Sequence, residues 1–158
     1  MSQRIDYVQQ SPELFKAYLA FSTAIRGSVI DAATRNLVQI RASQMNGCAF
    51  CLDMHVKEAK IHGERELRLH HVAIWRESPL FSAKERAALE WTEALTRVSG
   101  EVPDAIYDKV RGVLSEKEIS DLSFAVMAIN GWNRLSCAVC AEPGSADAAY
   151  GLDKAGLS

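Results

Sequence analysis

No stretch of the 158 residues approaches the roughly 18 uninterrupted apolar residues that a membrane-spanning helix requires, which excludes a helical membrane protein. The polar start Met1-Ser2-Gln3-Arg4-Ile5-Asp6 has no apolar h-region, so no secretory signal is read there and a cytoplasmic location is expected. A basic run is missing as well. The 18 Lys and Arg residues are scattered among 20 Asp and Glu, giving a net charge of −2 and no electrostatic footprint for nucleic acid. There is neither an internal repeat nor a low-complexity linker to divide the chain, so one domain over residues 1–158 is expected. Nor does any segment show the apolar/polar alternation of a half-buried strand.

What is present is helical periodicity and an apolar content of 48%, enough for a chain of this size to bury a real core. The expected fold is all-α, a single-domain bundle of about seven helices. The first starts near Pro12, a favourable first-turn proline, carries Leu14, Phe15, Tyr18, Leu19, Phe21 and Ile25, and stops around Gly27. A second opens after Asp31 and ends at Asn46-Gly47, where Gly47 suits a left-handed terminator. The third runs from about Cys48 to His62-Gly63 and the fourth from Glu64 to about Arg76, broken by Ser78-Pro79. Ser82-Ala83-Lys84-Glu85 and Ser115-Glu116-Lys117-Glu118 are capping boxes that open a fifth helix and a long last one, the latter with Gly131 as the candidate place for a bend. Pro103 starts a helix between them. The Gly- and Ala-rich tail from Pro143 is expected to be loosely held.

Four cysteines stand in two Cys-x-x-Cys pairs, Cys48/Cys51 and Cys137/Cys140. In a reducing compartment paired thiols serve catalysis, redox sensing or metal binding more often than structure. Cys48, Cys51 and His55 fall at i, i+3 and i+7, along one face of a helix. His55 is one turn from Cys51, within reach of its thiol, and two turns from Cys48, which lies at the helix start, where free N–H groups favour a thiolate. The second pair reads as small residues packing the long helix, with a secondary redox role open to it. A Cys₄ zinc site built from both pairs is disfavoured, because zinc pairs sit on turns or knuckles rather than inside helices. His62, His70 and His71 read as solvated, and Trp75, Trp91 and Trp132 as core or subunit interface.

The stretch Gln39-Ile40-Arg41-Ala42-Ser43-Gln44-Met45-Asn46-Gly47-Cys48-Ala49-Phe50-Cys51-Leu52-Asp53-Met54-His55, followed by Trp75-Arg76-Glu77-Ser78-Pro79-Leu80-Phe81, resembles the AhpD-like alkyl hydroperoxidase branch of the carboxymuconolactone decarboxylase family, with its core over residues 31–97. Asn130-Gly131-Trp132-Asn133-Arg134-Leu135 resembles the family's last long helix. The resemblance implies an all-helical subunit, assembled as a homo-trimer or homo-hexamer, that reduces small hydroperoxides. It implies that Cys51 attacks the peroxide, Cys48 resolves the sulfenic acid into a disulfide, and His55 acts as general base. An external dithiol, such as a lipoylated or thioredoxin-like carrier, restores the pair, and no metal, flavin or haem is called for. One position departs from the family pattern: relatives commonly carry a relay glutamate twelve residues before the first cysteine, and Asn36 stands there. Asn does not titrate, so either the rate is lower or another acid substitutes. The rival readings are a lactone decarboxylase, whose chemistry does not need two thiols, and a redox-sensing or assembly protein that uses the same disulfide.

Overall fold

The computed structural model describes residues 3–157; Met1, Ser2 and Ser158, and with them the start of the polar N-terminal segment, lie outside the described residues. Among those described there is no strand, and nine α-helices follow in order: α1 (Tyr7–Gln10), α2 (Pro12–Ala24), α3 (Ala32–Asn46), α4 (Ala49–Ile61), α5 (Glu66–His71), α6 (Ala83–Thr96), α7 (Asp104–Arg111), α8 (Glu116–Val139) and α9 (Asp147–Tyr150). Short 3₁₀ turns at Ile25–Gly27, Val72–Ile74 and Leu152–Ala155 extend α2, α5 and α9. The seven periodic segments are α2 to α8. The two additions, α1 and α9, are single turns, too short to leave a period in the sequence.

Local chemistry sets the ends. Pro12 occupies the first turn of α2, and Asp31 caps α3 by accepting the Thr34 N–H at 2.9 Å. Both capping boxes form, Ser82 with Glu85 and Ser115 with Glu118. The long helix α8 runs unbroken through Gly131. A Cβ there would collide with the Tyr18 hydroxyl, which donates to the Ala128 carbonyl at 2.8 Å, so the glycine lets α2 approach α8 closely.

Helix α3 lies at the centre, packed against α4, α6 and α8. It is buried on several sides: Leu37 and Ile40 join Ala59, Val72, Trp75, Phe81 and Leu89 in one cluster, while Val38 joins Ala88, Trp91, Val110, Leu122 and Val126 in another. A buried carboxylate ties the segment after α5 to this centre. Glu93 accepts from Arg41 Nε at 2.7 Å, Trp75 Nε1 at 2.9 Å and Arg76 Nη1 at 2.7 Å. Arg86 in turn donates to the carbonyls of Trp75, Arg76 and Ser78.

The segment after Pro143 is more firmly tied than its composition suggests. Asp53 accepts the Gly144 N–H at 3.1 Å, buried Lys57 bridges Asp53 and Asp147 at 2.8 and 2.6 Å, and Leu152 is buried where the last 3₁₀ turn packs on α4. Polar anchors on α4, invisible to a reading of the tail alone, hold it there. No described helix is long and apolar enough to cross a membrane.

Candidate active site

The turn between α3 and α4 places the first thiol. Gly47 takes a left-handed φ of 65° and ends α3, and the Cys48 N–H then closes on the Ser43 carbonyl at 3.0 Å. Cys48 is therefore the N-cap of α4, one position before the first turn in which it was expected. Its φ/ψ of −86°/94° directs the sulfur back over the helix start, where it accepts the Cys51 N–H at 3.3 Å. The two sulfurs are 2.7 Å apart, with Cys48 donating its S–H to Cys51, and only 2% and 3% of the two residues is exposed.

Around them lie Ala42, Ile129, Phe50 and Trp132. The polar groups come from α8. Asn133 is fully buried and held rigidly: it accepts from Asn46 at 2.9 Å and donates to Ser43 Oγ at 3.1 Å, which leaves its second N–H for the Cys51 sulfur. The Ser136 hydroxyl, buried and without a hydrogen bond of ordinary geometry, faces the same sulfur and the Tyr7 phenol. The hydrogen bond from Cys48 holds the Cys51 thiol below its ordinary pKa, with burial opposing and Asn133 and Ser136 adding to the effect. Cys48 moves the other way. Its bond to Cys51 pushes its pKa up, burial adds to this, and the N–H of Cys51 recovers only part. The expectation that the helix start would favour a Cys48 thiolate is thus reversed, because the N–H it accepts weighs less than the proton it lends to its neighbour.

The second half of the expected machinery is arranged differently. His55 is half-buried, and its Nδ1 is 3.2 Å from Glu58 Oε2; no hydrogen bond joins it to Cys51. Asn36, fully buried, bonds His62 Nδ1 at 3.1 Å rather than His55, and its own Oδ1 is unpartnered. Glu58 was missed in the sequence. The hydrogen bond from His55 holds its carboxyl below the usual range despite burial, with the charges of Arg26, 3.4 Å away, and His62 adding to it. An acidic residue three positions beyond the histidine on the same helix was the available signal. His62 is exposed yet bonded, and His71 is half-buried with Nδ1 3.0 Å from Ser78 Oγ, so neither is simply solvated. Trp75 and Trp91 are core residues, and Trp132 lies against the thiols. Among the described residues no three His, Cys, Asp or Glu side chains are grouped to hold a metal ion.

An all-helical chain that buries a dithiol at the start of one helix beneath the flank of a longer one defines a class. The chain belongs to the carboxymuconolactone decarboxylase family, which matches residues 12–94, and to its AhpD-like branch. It is 42% identical to the uncharacterized protein YdfG of Bacillus subtilis over 140 residues, 88% of this chain and 95% of that one. A crystal structure from Agrobacterium tumefaciens, of a protein of unknown function suggested to be the antioxidant defence protein AhpD, superimposes with a TM-score of 0.86. That match is at 38% identity and covers 90% of this chain and 98% of the other. The debrominase Bmp8 matches with a TM-score of 0.79 at 18% identity, over 94% of this chain and 80% of its own, and so shares the fold.

Proposed function

We propose that the chain is a thiol-dependent peroxidase, which reduces small hydroperoxides at Cys51 and Cys48 and is restored by an external dithiol, such as a lipoylated or thioredoxin-like carrier. The observation that carries this reading is the geometry of the buried pair: the two sulfurs lie 2.7 Å apart at the start of α4, with Cys48 donating to Cys51. The Cys51 thiolate attacks the terminal oxygen of the hydroperoxide and the O–O bond breaks, leaving a Cys51 sulfenic acid and an alkoxide. The Cys48 proton passes to the alkoxide, so the alcohol departs and Cys48 becomes a thiolate as it is needed. It attacks Cys51 Sγ, hydroxide leaves and takes up a proton, and the disulfide forms. Two thiol–disulfide exchanges pass the oxidation to the external dithiol, which leaves as its own disulfide and returns both sulfurs to the reduced state.

His55 serves as the base. Glu58, ionised, accepts the Nδ1–H, which leaves Nε2 with a free lone pair for a proton drawn from the dithiol when both sulfurs are protonated. Glu58 thereby takes the place of the family glutamate, and Asn36 is left to orient His62. The subunit works as a homo-trimer or a dimer of trimers. Support comes from apolar side chains left open on α2 and α8, Leu14 at 73% exposure, Phe124 at 50% and Met127 at 53%.

The test is hydroperoxide consumption with dihydrolipoamide, a lipoylated carrier and a thioredoxin-like protein as donors. Catalytic turnover with at least one donor, lost in Cys51→Ser, is expected. Consumption of a single equivalent with every donor would overturn the peroxidase reading in favour of a redox sensor.

A further inference from the structure

The pair Cys48/Cys51 is nearly closed to solvent, whereas Cys137 is exposed and Cys140 half-buried. With 2% and 3% of the two residues exposed, the first pair offers a protein-borne dithiol little surface to attack. The α8 face that covers these thiols carries Ile129, Asn133 and Ser136, and the same stripe continues at i+4 and i+7 from Asn133 to Cys137 and Cys140. Cys137 follows Asn133 by one turn on the α8 face that lies over the buried thiols, which places it on the side of α8 toward Cys48. Cys140 ends α8 in a left-handed conformation, φ 54°, unusual for a residue with a Cβ, and this keeps its thiol on the turn next to Cys137. Spacing of i and i+3 puts the two within the Cα separation a disulfide needs.

We propose that Cys137 and Cys140 form an exchange relay that carries the disulfide from the buried pair to the surface, where a protein dithiol reduces it. The proposal rests on the reading of Cys48 and Cys51 as the reactive pair. In the first step the Cys137 thiolate attacks Cys48 Sγ; the Cys48–Cys51 bond breaks, a Cys48–Cys137 bond forms, and Cys51 leaves as the thiolate. Asn133 and Ser136 already stabilise that anion, which makes Cys51 the better leaving group. In the second step the Cys140 thiolate attacks Cys137 Sγ, Cys48 leaves and takes up a proton, and the disulfide lies between Cys137 and Cys140. The external dithiol then supplies the two electrons, attacking at the exposed Cys137 sulfur and leaving as its own disulfide.

The full-length protein is oxidised with one equivalent of diamide, alkylated at successive times and mapped by peptide mass spectrometry. A Cys48–Cys51 disulfide that gives way to Cys137–Cys140 is expected in the parent, and a trapped Cys48–Cys137 disulfide in Cys140→Ser. In the double variant Cys51→Ser/Cys140→Ser, whose helix-end substitution is checked by circular dichroism, the two remaining thiols are expected to join within one chain. Oxidation that stays at Cys48–Cys51, with Cys137 and Cys140 alkylated throughout, overturns the relay; so does failure of the double variant to form Cys48–Cys137. Because diamide replaces the hydroperoxide, a protein that exchanges disulfides this way but turns over no peroxide refutes the peroxidase reading and leaves the relay standing.

Discussion

Cys51 faces an S–H donor on one side and the Asn133 and Ser136 side chains on the other, and its reactivity follows from which of these is removed. Cys51→Ser is expected to abolish reaction with hydroperoxide at the pair, while Cys48→Ser stops at a sulfenic acid that a dimedone probe captures. The pH dependence follows from the same bond. A donor to a thiolate favours the anion and lowers the pKa, so Cys48→Ala, which removes the donor, should move the pH profile of Cys51 alkylation upward; an unmoved profile would assign the depression to α8 alone. His55→Ala should slow peroxide attack by roughly two to four powers of ten, the range for a positioned base. Glu58→Gln should slow it less, because the imidazole stays and loses only the carboxylate that fixes its tautomer. Asn36→Glu should leave the rate near that of the parent, since position 36 faces His62 and His55 already has its carboxylate. Stopped-flow rates of the four proteins check these outcomes together.

At the scale of elements, the Glu93 cluster joins α3, α6 and the segment before α6, adding polar ties to the core packing of Trp75 and Phe81. Burial would raise the Glu93 pKa, but hydrogen bonds from Trp75, Arg76 and Arg41 outweigh it and hold the carboxyl below its ordinary value. A depressed carboxylate stabilises the fold above its unfolded pKa, near 4.5, and loses that contribution as pH falls through the lower folded value. Glu93→Ala should cost about 3 kcal/mol, the low end for breaking a buried pair, because Arg76 stays half-exposed and rehydrates. Urea denaturation measures both: the parent should lose stability below pH 4.5 more steeply than the variant. Equal slopes would remove Glu93 from the acid response.

For the whole molecule, the apolar side chains on α2 and α8 are the counterpart of the closed interior. Leu14, Phe124 and Met127 are left exposed, where the apolar helix stripe is wider than the chain's own core covers. Light scattering at micromolar concentration should give three or six times the 17.4 kDa subunit mass, and Phe124→Asp should shift the distribution toward smaller species. A monomer under all conditions would remove assembly from the account.

The amino-acid sequence by itself determined the elements and the pair. The first-turn proline, the caps at Asp31, Ser82 and Ser115 and the left-handed Gly47 act within a few residues of themselves, so α2, α3, α6, α8 and the α3–α4 turn were legible before any packing was known. So was the closeness of Cys48 and Cys51, which a single helical turn enforces. Tertiary structure decided the chemistry of each group. Asn133 and Ser136 reach Cys51 from a helix more than eighty residues away in the chain. No periodicity on α3 reveals that Asn36 meets His62, nor do the helical positions of Cys51 and His55 say which neighbour each prefers. The physical reason is range. Caps and turns are short-range geometry written in adjacent residues, whereas burial, donor direction and pKa depend on which distant side chains share the same small volume.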